Sequence, residues 1–200
     1  CAVLAVGGYG RGEMNPLSDL DLMFFYQPDG QDASAQIADR MLYLLWDLGL
    51  DVGSSVRSLN QCLEEARDST VRTALLDCRL LCGHPALFDI LQKGFKKYLL
   101  EQDSQAFIRA KLAEREERQH KYGSSVYLLE PNLKEGEGGL RDLQEALWIC
   151  RIKYRADSLR DLLIKGVITE EDLREYRQAQ DYLWTIRNFL HFYGGRKSDR

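Results

Sequence analysis

Two short segments near the start of the chain carry residues that could do chemistry together: Val6-Gly7-Gly8-Tyr9-Gly10-Arg11-Gly12-Glu13 and Ser18-Asp19-Leu20-Asp21-Leu22. Residues two apart on a strand point to one face, so a strand through the second segment presents Asp19 and Asp21 as adjacent carboxylates while Leu20 and Leu22 turn to the core. Adjacent like charges repel, and a cation between them removes the conflict. A few hard oxygen ligands suit Mg2+ bound jointly with nucleotide phosphates. Without Cβ atoms at Gly7 and Gly8, backbone N–H groups can approach a triphosphate closely, and Arg11 would add a charged donor. The chemistry expected of such a two-metal site is in-line attack on the α-phosphate of a nucleoside triphosphate, with release of pyrophosphate.

Neither signal is specific alone: an Asp-x-Asp is common, and a glycine-rich turn after a strand is usually a tight connection. Their order and short separation carry the reading. The rival, a dinucleotide-binding turn, needs Gly-x-Gly-x-x-Gly opening a long helix and an acid about 20 residues on. Here the spacing is Gly8-x-Gly10-x-Gly12, and the next strand arrives too soon for a crossover helix. His84, His120 and His191 lie far apart and read as surface or helix-end residues, and no Gly-x-Ser-x-Gly is present.

The elements that must position these residues alternate at first. Ala2 to Val6 reads as a buried strand, a glycine turn follows through Gly12, and Leu20 to Tyr26 reads as a second strand. Ile37, Met41, Leu44, Leu45 and Leu48 recur at helical spacing, with Gly49 as the αL cap. Leu50 to Arg57 reads as a third strand with Asp51 near its start. After Ser58 the pattern is nearly continuous helix, including Val71 to Leu81, which would put Cys78 and Cys82 on one helical face. A polar helix over Ser104 to Tyr122 carries mixed charge from Lys111 to Lys121 and reads as a solvated face. A loop spans Gly123 to Gly139. A last helix starts near Thr169, where Asp172 completes a capping box, and runs to about Tyr193.

The expectation is an α+β fold: a small mixed-sheet catalytic core over residues 1–58, then a mostly helical domain over 59–200 that includes the 123–139 loop. A net charge of −4 gives no bulk attraction to nucleic acid. No apolar run approaches the roughly 18 residues that cross a bilayer. Five cysteines without a Cys-x-x-Cys pair suit a reducing compartment, so a cytoplasmic location is expected. The chain lacks an initiator Met and opens straight into a strand, which reads as a piece of a longer protein.

The glycine segment with Ser18-Asp19-Leu20-Asp21-Leu22 resembles the nucleotidyltransferase signature of the DNA polymerase beta superfamily, in the variant seen in bacterial protein-PII uridylyltransferases. Leu45-Trp46-Asp47, Val52-Gly53-Ser54-Ser55-Val56-Arg57, Glu130-Pro131-Asn132-Leu133-Lys134-Glu135 and Gly138-Gly139-Leu140-Arg141-Asp142-Leu143 resemble segments of the same enzymes in the same order. The resemblance implies transfer of UMP from UTP to a tyrosine hydroxyl of a PII signalling protein, with Mg2+ as cofactor. It also implies a third carboxylate, for which Asp51 is the candidate, and a nucleotide site to which Ser18, Lys134 and Arg141 contribute beside Gly7, Gly8 and Arg11. Lys134 and Arg141 read equally as contacts to the acceptor protein, or as part of a loop packing the helical domain. Relatives often carry His where this chain has Ser54. They also carry HD and ACT domains that this sequence lacks, so uridylyl removal is not expected of it. Two alternatives stay open: an adenylyltransferase acting on glutamine synthetase or another protein, and a non-catalytic nucleotide-binding module.

Overall fold

The computed structural model describes residues 1–122, 129–195 and 198–200. It divides into two compact units, Cys1–Gln102 and Asp103–Arg200. The division falls well beyond the expected boundary at Ser58, because the sheet draws in a strand from the region read as helix.

The first unit is built on a four-stranded mixed sheet in the order β3-β2-β1-β4, formed by β1 (Ala2–Ala5), β2 (Leu20–Tyr26), β3 (Val52–Ser58) and β4 (Arg79–Gly83). β1 runs antiparallel to β2 and β4, and β2 runs parallel to β3. The antiparallel β1–β2 pair explains how so short a connection suffices, and it rules out the dinucleotide-binding crossover. Where the glycine turn was expected, the chain forms a short helix, α1 (Gly7–Arg11), closed by Gly12 at φ 74°. A Cβ on Gly10 would fall 2.2 Å from the carbonyl oxygen of Asp77, so α1 lies flat against the end of α4 (Ser69–Leu76).

Alternation along β2 divides the core into two layers. Leu22 and Phe24 pack with Val3 and Ala38 on the side of α2 (Gln31–Asp47), whose end is marked by Gly49 at φ 75°. Met23 and Phe25 pack with Ala2, Leu4, Cys62, Leu91 and Phe95 on the side of α3 (Leu59–Glu65) and α5 (Pro85–Glu101). Cys62 is fully buried, and burial above all pushes its thiol up to about 12, which makes it an inert core residue. β4 corrects the expected helix through Leu81. Its apolar run is compatible with either structure, and pairing with the otherwise open edge of β1 decides it. Cys82 therefore lies on a strand and Cys78 before it, not on one helical face.

The second unit is helical: α6 (Ser104–Tyr122), α7 (Leu140–Tyr154), α8 (Leu159–Ile164) and α9 (Glu170–Gly194). The capping box at Thr169 and Asp172 is present. The expected loop over 123–139 is described from residue 129 onward, and its first six residues lie outside the described set. The charged stretch of α6 is not simply solvated. Lys111 is buried, 2.8 Å from Glu114 Oε2 with its ammonium over the rings of Phe107 and Trp148, and Arg118 is buried as well. No helix among the described residues is long and apolar enough to cross a membrane.

Candidate active site

The end of β1 and the start of β2 are joined by the Val6 N–H, which donates to the Asp21 carbonyl at 3.0 Å. That bond puts α1 directly beside Asp21. Asp21 is the second residue of β2, Asp19 precedes the strand and is exposed, and the face that carries Asp21 continues inward as Met23 and Phe25. Between α1 and β2 the chain turns at Asn15–Ser18: the Ser18 N–H donates to the Asn15 carbonyl at 3.1 Å, and Leu17 sits at φ 63°. A bulky side chain in the left-handed region is strained, and here the strain lies next to the carboxylates.

The Asp21 carboxylate occupies a slot made by two glycines. A Cβ on Gly7 would fall 2.9 Å from Oδ2, and one on Gly53 would fall 2.7 Å from Oδ1. Gly53 faces Asp21 because β2 and β3 pair in parallel with Leu20 opposite Val52 and Asp21 opposite Gly53. Extending that register by one residue sets Asp51 beside Asp19, and the Leu20 N–H donates to the Asp51 carbonyl at 2.8 Å. Asp51 is exposed. Among the described residues no group of three or more His, Cys, Asp or Glu side chains is gathered as metal ligands. The third-carboxylate reading of Asp51 therefore rests on register alone. A slot that only glycines leave open around the Asp21 carboxylate, with the exposed Asp19 two residues before it, suits a divalent cation completed by phosphate oxygens.

Arg11 does not stand free for a phosphate. Its Nε lies 2.6 Å from Glu13 Oε2 and its Nη1 lies 2.7 Å from Asp77 Oδ2. Burial alone would lower its pKa, and the two carboxylates together outweigh that and raise it. The pairing makes Arg11 a brace that holds α1 against the end of α4. The carbonyls at this C-terminal end of the short helix are also capped, since Arg79 Nη2 donates to the Tyr9 carbonyl at 2.9 Å and its guanidinium lies 5.5 Å from the centre of the Tyr9 ring. At the N-terminal end, the N–H groups of Gly7, Gly8 and Tyr9 have no intrahelical acceptors, as in any first turn.

Lys134 and Arg141 belong to the second unit, where the structure brings them together. Asn132 Oδ1 accepts from the N–H groups of Lys134 (3.0 Å) and Glu135 (2.7 Å), folding the loop back on itself. The carbonyls of Leu133 and Lys134 then accept from the N–H groups of Leu140 and Arg141, both at 2.9 Å, and so cap the first turn of α7. Glu135 sits between the two cations, 3.8 Å from Lys134 Nζ and 3.3 Å from Arg141 Nη2. Burial, then the neighbouring Arg141, holds Lys134 below the usual lysine range. Arg118 fastens this loop to α7 by donating to the Glu135 carbonyl, Asp142 Oδ1 and Glu145 Oε2 at 3.1, 2.8 and 2.7 Å. His191, read from sequence as a surface or helix-end residue, stands in the last turn of α9 but is fully buried, 3.8 Å from Asp199.

Gly53, Asp77, Arg79 and Arg118 went unrecognised as contributors. Only Gly53, a glycine inside a strand pattern, carried a usable signal.

A small mixed sheet whose second strand is entered through Asp19 and carries Asp21, beside a glycine-rich helical turn and followed by helices, is an α+β fold consistent with a nucleotidyltransferase domain. Residues 106–200 match the family described as GlnD PII-uridylyltransferase. Over 199 residues, 99% of the chain and 21% of the relative, it is 45% identical to the bifunctional uridylyltransferase/uridylyl-removing enzyme of Azospirillum brasilense. Over 200 residues, 100% of the chain and 22% of the relative, it is 46% identical to the enzyme of the same name from Nitrobacter winogradskyi. The likeness to these uridylyltransferases runs along the whole chain, which spans about a fifth of the length of the curated relatives it matches.

Proposed function

We propose that this chain carries the uridylyl-transferring site of a PII-uridylyltransferase, moving UMP from UTP to a tyrosine hydroxyl of a PII signalling protein in the cytoplasm, as part of nitrogen regulation. The observation that supports it most is the Asp21 carboxylate set between Gly7 and Gly53, beside the exposed Asp19. In the reaction a bond forms between the tyrosine oxygen and the α-phosphorus, and the bond from that phosphorus to pyrophosphate breaks.

Asp19 and Asp21 would hold Mg2+, with Asp51 as third carboxylate. When bound, the metal supplies charge neutralisation on the phosphates and a lowered barrier to deprotonating the attacking oxygen. Gly7, Gly8 and Ser18 admit the triphosphate to the main chain, and Arg11 fixes α1 in the position that makes this possible. In the second unit, Lys134 and Arg141 form a paired cationic feature suited to phosphate.

Incubation with α-labelled UTP, Mg2+ and a PII protein tests the proposal. Label should reach the PII tyrosine and should fall by at least two orders of magnitude in Asp19→Asn and in Asp21→Asn. Labelling from ATP and not UTP would assign an adenylyl donor. Labelling undiminished in both variants would remove the site.

A further inference from the structure

We infer that Gly53 is a positioning residue for metal binding, because its missing side chain leaves one wall of the slot that holds the Asp21 carboxylate. The inference rests on the proposed reading of Asp21 as a metal ligand. The two carboxylate oxygens are bounded by different glycines, Oδ2 by Gly7 and Oδ1 by Gly53. At Gly7 the backbone also asks for glycine, since φ is +57°. Gly53 has no such requirement. It lies on β3, an edge strand, is exposed, and has φ outside the left-handed region.

Among the described residues, Asp21 is the only residue that a Cβ at position 53 would meet within 4 Å. Glycine weakens a strand, and its occurrence inside one marks the close approach of another group. Here that group is the carboxylate. An alanine at position 53 would not prevent β3 from pairing, because Asp21 has a short side chain that can rotate out of the way. It would move the ligand oxygens instead, so the variant should fold normally and bind metal poorly.

Mn2+ serves as the probe, with its binding to this chain followed by electron paramagnetic resonance and with thermal melting as the check on folding. Gly53→Ala should weaken Mn2+ binding by about tenfold or more, the size typical of losing a group that orients a metal ligand. Its melting midpoint should stay in place. Ser54→Ala, one residue on and facing the opposite side of the sheet, should change neither.

If Asp21→Asn loses Mn2+ while Gly53→Ala binds it as the parent chain does, the cradle is overturned and the metal reading stands. If Asp21→Asn binds Mn2+ undiminished, the metal reading falls and takes this inference with it. Should Gly53→Ala melt early, Asp21→Ala in the same chain decides: restored melting supports the contact, and persistent loss overturns it.

Discussion

Arg11 and Asp77, 66 residues apart in sequence, meet at 2.7 Å with side chains only 12% and 1% exposed. This pair links the helix that carries Gly7 and Gly8 to the end of α4. The carboxylate's carbonyl neighbour is also the atom that a Cβ on Gly10 would strike. The placement of the glycine segment is therefore fixed from outside the motif.

Removing one member of a buried ion pair leaves the other charge without its partner, which typically costs about 3–5 kcal/mol. Arg11 keeps Glu13 as a partner, so Asp77→Asn should destabilise the first unit measurably in urea denaturation but by less than that range. UTP affinity should fall with it, since α1 loses its brace. An Asp77→Asn chain as stable as the parent would show that the pair is not structural.

Glu145 gives a pH signature in the second unit. Burial raises its pKa above the ordinary 4.5, and Arg118 offsets this only in part. A raised carboxylate contributes stability that is fully present below 4.5 and lost as pH rises through the folded value. Glu145→Gln lacks that loss. Although Arg118 loses a partner in the variant, the stability gap between parent and variant should narrow as pH climbs from 4.5. A gap that is constant or widens across that range would contradict the assignment.

Lys134 shifts the other way. Its lowered pKa means that the charged form is disfavoured in the folded chain, so the associated stability is full above 10.5 and lost as pH falls through the folded value. Lys134→Met should be as stable as the parent or more so at neutral pH, with the advantage shrinking toward 10.5. A cation kept at a cost to stability is what a functional site requires. Clear destabilisation of Lys134→Met at neutral pH would make the lysine structural instead.

Much of this was legible from residue order where the determinants are local. Leu20–Tyr26, Ser104–Tyr122 and the Thr169 capping box stand where periodicity and cap chemistry put them. What escaped depends on contacts between distant segments. β4 is a strand because β1 offers an edge, and an apolar run cannot announce that. Arg11 reads as a free cation until Asp77 is folded against it. Lys111 and Arg118 read as solvated until α7 supplies Trp148, Asp142 and Glu145. The role of Gly53 follows only from the parallel register of β2 and β3.

The claim that Asp19 and Asp21 hold divalent ions against a bound triphosphate is tested most directly by a crystal of this chain grown with UTP and Mn2+, with the metal located by its anomalous signal. The account predicts a metal peak within coordinating distance of the Asp21 carboxylate and of phosphate oxygens, with the triphosphate against Gly7 and Gly8. Nucleotide bound away from α1, or metal bound without either carboxylate, would contradict it.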